Sequence, residues 1–392
     1  MPDLDRRFRG LDRVRGRDLW PDIETREPRL MPDRSPGRRA AVAAVALALA
    51  AVGVAVAIRA FVGRDAVRPG QPAPSPAAPV EPVVDVTLPI EWPSSIVYGE
   101  GSIWVAASAN DRTGAGTVSR IDPDTAEVLA EIPVPSVPGW ETGGGGMEAE
   151  GGSLWIAGSL EGQAALVGVD VTTNRVTEEI TLGGQFAGDV AIDERGVWVS
   201  IFGRSEMELV RVDPATGLQE ARISLPSEYA REVLAVAGTI WVHEHETHGS
   251  VVGASLLTQV DPENDRVVRS VEVGSQATSV TEGDGAIWAT TWTSQDGNLL
   301  VRLDPVTGAL ETVPAGSFDY LVEEGEGGLW GRGLDQPSGR LGIARFNPLT
   351  GRVDATVALD RDQTPIALAV APGSVWVARV EGGATRVELR PA

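Results

Sequence analysis

Seven tryptophans recur through the C-terminal three-quarters of this chain: Trp104, Trp155, Trp198, Trp241, Trp288, Trp330 and Trp376, at intervals of 51, 43, 43, 47, 42 and 46 residues. Six close the same phrase, Gly-x-apolar-Trp, as in Gly101-Ser102-Ile103-Trp104 and Gly373-Ser374-Val375-Trp376. Before Trp198 the glycine sits one place later, at Gly196. A period of about 40 to 50 residues built from short strand-like runs marks a β-propeller, one repeat per blade. The chain is therefore expected to be all-β, with seven blades.

Each repeat reads as four strands, A to D. Around Trp198 they are Asp189–Ile192, Gly196–Ser200, Leu209–Asp213 and Leu218–Leu225, with apolar residues alternating as a packed sheet requires. Between C and D lies Asp213-Pro214-Ala215-Thr216-Gly217. Asp caps the turn, Pro presets φ, and Gly takes the positive φ at its end. Copies follow at Asp304–Gly308 and Asn347–Gly351, and weaker ones at Asp122–Ala126, Asp170–Asn174 and Asp261–Asp265; in the first of these Ala126 replaces the glycine. The seventh repeat lacks a D strand after Trp376. Residues 83–90, which precede the first repeat and match the D strands, are expected to supply it and close the ring.

The N-terminal part reads differently. Residues 1–39 hold 11 Arg against 8 acids. Ala40–Ile58 then runs 19 residues without a charge, flanked by Arg38, Arg39 and Arg59. As a helix it is long enough to span a bilayer, and the Arg-rich side predicts a cytoplasmic N-terminus. A cleaved signal peptide is the rival reading; the segment and its leader are long for one. Residues 59–82, rich in Pro and Ala, read as a semi-rigid spacer. The expected organisation is a cytoplasmic tail (1–39), a transmembrane helix (40–58), a linker (59–82) and an extracytoplasmic propeller (83–392). Such a layout is similar to that of membrane-bound anti-sigma factors, which makes residues 1–32 a candidate docking segment for a cytoplasmic partner.

The formal net charge is −22, all 33 basic residues are Arg, and there is no Cys. An acidic body of this size disfavours nucleic-acid binding by the repeats. The lack of Cys excludes disulfides, thiolate metal sites and cysteine nucleophiles.

The phrases Arg211-Val212-Asp213-Pro214-Ala215-Thr216-Gly217 and Pro365–Ala378 resemble repeats of YVTN-type and virginiamycin B lyase-like propellers. The resemblance implies the fold. The lyase-like relatives use a metal ion and a catalytic histidine, but no position here matches that motif well enough to carry a residue across.

Two groups of candidate residues stand out. Twelve residues before the repeat tryptophans, in the D–A loops at one face of the ring, lie Trp92, Phe186, Tyr229 and Phe318, and Trp140 falls close to the same place. These aromatics read either as a ring of stacking surfaces for a ligand or protein partner, or as plugs between blades. Asp189 and Glu232 share the offset nine before the tryptophan and are expected to face the channel. The second group is the three histidines of the whole chain: His243, His245 and His248, in Trp241-Val242-His243-Glu244-His245-Glu246-Thr247-His248. On a strand, His243 and His245 point to one side. Neutral imidazoles so spaced can hold a divalent metal ion, with Glu244 or Glu246 as helper. No other cofactor is indicated. The leading expectation is a propeller that binds an extracellular ligand or protein and does no chemistry. The alternative is a metal-dependent lyase or hydrolase centred on the histidines.

Overall fold

The computed structural model describes residues 80–391, apart from 109–114, 139–145, 204–205, 228, 249–250, 276, 294–295, 317, 336–338, 360–363 and 380–382. The tail, the proposed membrane helix, most of the linker and Trp140 lie outside the described residues. Among the described residues no helix is long and apolar enough to cross a membrane.

Twenty-eight strands, β1 to β28 in chain order, form seven four-stranded antiparallel sheets among the described residues. The third blade is representative: β10 (Phe186–Asp193), β11 (Gly196–Phe202), β12 (Met207–Val212) and β13 (Gln219–Ser224). Their order from the axis outward is A, B, C, D, as the sequence predicts. Each innermost strand touches its two neighbours round the ring, and β2 (Pro93–Gly99) meets β26 (Pro365–Ala371) to close it.

Blade 7 is completed by β1 (Val80–Leu88), which pairs antiparallel with β28 (Gly383–Pro391). The strand begins three residues before the expected start and ends two before the expected end. Pro82 is tolerated because β1 is an edge strand. Asp85 pairs with Arg386, which also donates to the carbonyl oxygens of Pro123 (3.2 Å) and Asp124 in the C–D turn of blade 1. The two ends of the propeller are thus joined by a ladder and an ion pair.

Every repeat tryptophan is buried and packs against the following blade. Trp104 sits among Met147, Leu154 and Ile156 of blade 2, and Trp376 among Ile96, Ile103 and Val105 of blade 1. Each of the seven apolar clusters lies in one seam, so a wedge between tilted sheets is filled by one large flat ring per blade. In five blades an arginine covers the indole. Arg120 lies 5.0 Å from the Trp104 centroid and Arg211 5.4 Å from that of Trp198. Three of these arginines bridge to the next blade: Arg120 reaches Asn174 Oδ1 at 3.1 Å, Arg211 reaches Asp265 at 3.3 Å and Arg269, over Trp241, reaches the Pro305 carbonyl at 3.0 Å. In blade 2 the place opposite Trp155 is Gly168, where a Cβ would meet the ring at 2.9 Å.

The C–D turns follow the predicted chemistry. Asp122 Oδ1 accepts the backbone N–H groups of Asp124 and Thr125, at 2.9 and 2.8 Å. The last turn position has φ 67° at Gly217 and 75° at Gly308, but Ala126 must take φ 59°. A Cβ there costs about 1 kcal/mol. Ala126→Gly is therefore expected to stabilise the propeller by about that amount, read by chemical denaturation.

Candidate functional site

The inner strands enclose a cavity of about 420 Å³ on the propeller axis. Five of the seven inner strands carry a register shift near their upper ends, the face of the D–A and B–C loops. A bulge re-aims a side chain. Asp189 lies in the bulge of β10, between Ala187 and Val190, and Glu232 in that of β14 (Tyr229–Val236), between Ala230 and Val233. Both line the cavity. Four further carboxylates line it: Glu148 and Glu150 on β6 (Met147–Glu150), Glu282 on β18 (Ser279–Gly283) and Glu323 on β22 (Phe318–Gly325). Glu148 and Glu323 each stand seven residues before the repeat tryptophan of their blade and pair with it across the sheet. Offset seven therefore faces the axis as well as offset nine.

These acids are not equivalent. Asp189 is buried and already engaged. One carboxylate oxygen accepts the N–H of Gly146 in blade 2, and the other accepts that of Val233 in blade 4 at 2.9 Å. It fastens three blades at the axis. Burial pushes its pKa up to about 7, against the pull of those N–H groups. Burial also pushes Glu148 and Glu323 up to about 8, and in both the charge of Asp189 adds to the rise. For Glu232, burial is outweighed by the charge and hydrogen bond of His243, and its carboxyl is held below the ordinary value. Arg231 contributes in the same direction. The rest of the lining mixes hydroxyls (Ser279, Thr281) with aliphatic groups (Ile96, Val190, Val280, Leu368).

The aromatic candidates separate. Trp92 is 56% exposed, and Phe186 is 38% exposed and stacks on Phe202 with centroids 5.3 Å apart. Tyr229 is half-buried, 6.1 Å from the His245 ring. Phe318 is fully buried against Phe346 in the seam between blades 5 and 6, so it packs and offers no stacking surface. An aromatic outside the predicted set, Trp292 at the end of β19 (Ala286–Thr293), is 50% exposed on the upper face.

Of the histidines, His243 and His245 point to the same side of β15 (Thr239–His248), with ring centroids 4.6 Å apart. They lie above Trp241, whose indole packs into the seam with blade 5. His243 Nδ1 is 2.6 Å from Glu232 Oε2, and His245 Nδ1 is 3.0 Å from Ser255 Oγ. Burial lowers the His245 pKa to about 4, with the charge of His243 adding to it. The backbone of His248 pairs with Val251. Glu244 is no helper to these rings. It points to the other side of the strand and accepts the N–H of Ser227 at 2.9 Å. Among the described residues, no three His, Asp or Glu side chains converge to share one ion.

No protein-family model matches the chain, and no curated protein matches it. Among solved structures it is similar to a chain of Kuenenia stuttgartiensis hydrazine synthase, with a TM-score of 0.58 and 13% identity over 78% of this chain and 98% of that one. At that identity the likeness shows the fold alone. The chain is a seven-bladed β-propeller.

Proposed function

We propose that this propeller binds a small organic cation in its central cavity and is held outside the membrane by the Ala40–Ile58 segment. The observation that carries this reading is the convergence of Glu148, Asp189, Glu232 and Glu323 on one central cavity. Acids gathered in a low-dielectric space resist ionising together, and a bound cation favours their charged forms. The aliphatic parts of the wall suit the carbon chain of an alkylammonium ion. Exposed Trp92, Phe186 and Trp292 add faces that attract cations at the mouth. The negative net charge raises the local concentration of such ligands. Binding without chemistry fits the histidines, whose Nδ1 atoms are already engaged. The uncharged segment and its arginines support the anchor, with residues 1–32 available to a cytoplasmic partner.

Calorimetric titration of the full chain with spermidine tests the lumen. Saturable binding is expected, falling steeply with salt and weakened about 10-fold or more in Glu148→Gln/Glu323→Gln. Binding of equal strength in that variant would remove the lumen as the site.

A further inference from the structure

We propose that His243 and His245 form a two-imidazole site for a divalent transition ion, with zinc as the reference metal, in the seam between blades 4 and 5. In other blades the positions two and four after the repeat tryptophan include Ala106 and Ser108, Ala157 and Ser159, and Ser200. Here two imidazoles stand one above the other on β15, and His243 is fully buried.

The argument rests on the second nitrogens. Metal-bound imidazoles characteristically give their other ring nitrogen to a carboxylate, hydroxyl or carbonyl, which fixes ring orientation and leaves one lone pair for the ion. Both rings have such a partner. The Glu232 carboxylate holds His243 Nδ1 at 2.6 Å. Ser255 Oγ holds His245 Nδ1 at 3.0 Å and is itself fixed by the N–H of Ala277 at 2.8 Å. Nε2 of His243 is buried and has no hydrogen-bond partner. An orphaned buried nitrogen costs stability unless something occupies it. An ion at the Nε2 side of both rings satisfies it, and the remaining coordination places fall to water or an added ligand. Glu232 then serves two purposes, facing the lumen with one side and orienting His243 with the other.

The test is titration of the metal-free, untagged full chain with Zn²⁺. The expected result is one strongly bound ion per chain. His245→Ala should abolish it, and Ser255→Ala, which removes the hydroxyl that orients His245 and accepts the Ala277 N–H, should weaken it about 10-fold and lower the melting temperature of the metal-free chain by about 2 °C or more. Cu²⁺ at the same site should give an electron paramagnetic resonance spectrum with coupling to two imidazole nitrogens. Retention of the ion in Glu148→Gln/Glu323→Gln separates this site from the lumen. Absence of stoichiometric Zn²⁺, or equal binding in His243→Ala/His245→Ala, would overturn it.

Discussion

Deleting Val80–Leu88 is expected to lower the melting temperature by roughly 10 °C or more. The strand supplies the whole outer ladder of blade 7. Its Leu88 packs on the core shared by blades 7 and 1, and Val80 on that shared by blades 6 and 7. Thr87 and Thr385 share a hydrogen bond at 3.0 Å. Without Asp85, Arg386 keeps its bonds to blade 1 but loses its counter-charge. Losing two apolar contacts, a ladder and an ion pair together amounts to about 5 kcal/mol, at about 2 °C per kcal/mol for a domain of this size. Differential scanning calorimetry decides it. A melting point within about 2 °C of the intact chain would mean that the ring does not depend on this latch.

Stability is also expected to fall as pH rises from about 6.5 to 8, and neutralising two lumen acids should largely cancel that fall. Glu148 and Glu323 titrate near 8 in the folded chain against an ordinary 4.5, and Asp189 near 7 against 3.8. Over this window the folded chain holds protons that the unfolded chain has released. Unfolding therefore releases protons, and higher pH favours it. His245 acts in the opposite sense, but only as pH falls from 6.5 toward 4, so it does not offset the loss. Glu148→Gln/Glu323→Gln should leave a shallower profile and melt roughly 2 °C or more above the parent at pH 8. A flat parent profile, or a variant that melts lower at pH 8, would mean that the lumen acids are not strained. Sites that sacrifice stability in this way are often binding sites, which ties this measurement to the proposed function.

The sequence made the ring legible because a propeller repeats its physics. A tryptophan must fill each seam, a turn capped by Asp or Asn must join C to D, and the unpaired edge of blade 7 must find a partner. The latch was visible because Val84–Leu88 carries the D-strand pattern with no strand of its own repeat beside it. The site was less legible. Glu148 and Glu323 do not stand out because offsets nine and seven both face the axis, and the bulges of β10 and β14 bring the offset-nine acids Asp189 and Glu232 there as well. Phe186 and Phe318 share an offset, yet one is exposed and the other buried. In blade 6 the loop at Ala315 turns the ring inward to Phe346, with the Phe318 N–H bonded to the Ala315 carbonyl at 3.0 Å. Spacing specifies a position along the strand, not the direction in which a loop delivers its side chain. Four of the five arginines that cover the tryptophans stand two residues before the C–D turn's Asp or Asn, and Arg269 comes from the outer strand instead; their reach to the next blade depends on how the sheets are set against each other.

The most direct test is a crystal structure of the chain grown with spermidine. The polyamine should lie on the propeller axis, with its nitrogens within hydrogen-bonding distance of Glu148, Glu232 and Glu323. A lumen filled only with water, with spermidine bound on the outer strands, would contradict the account.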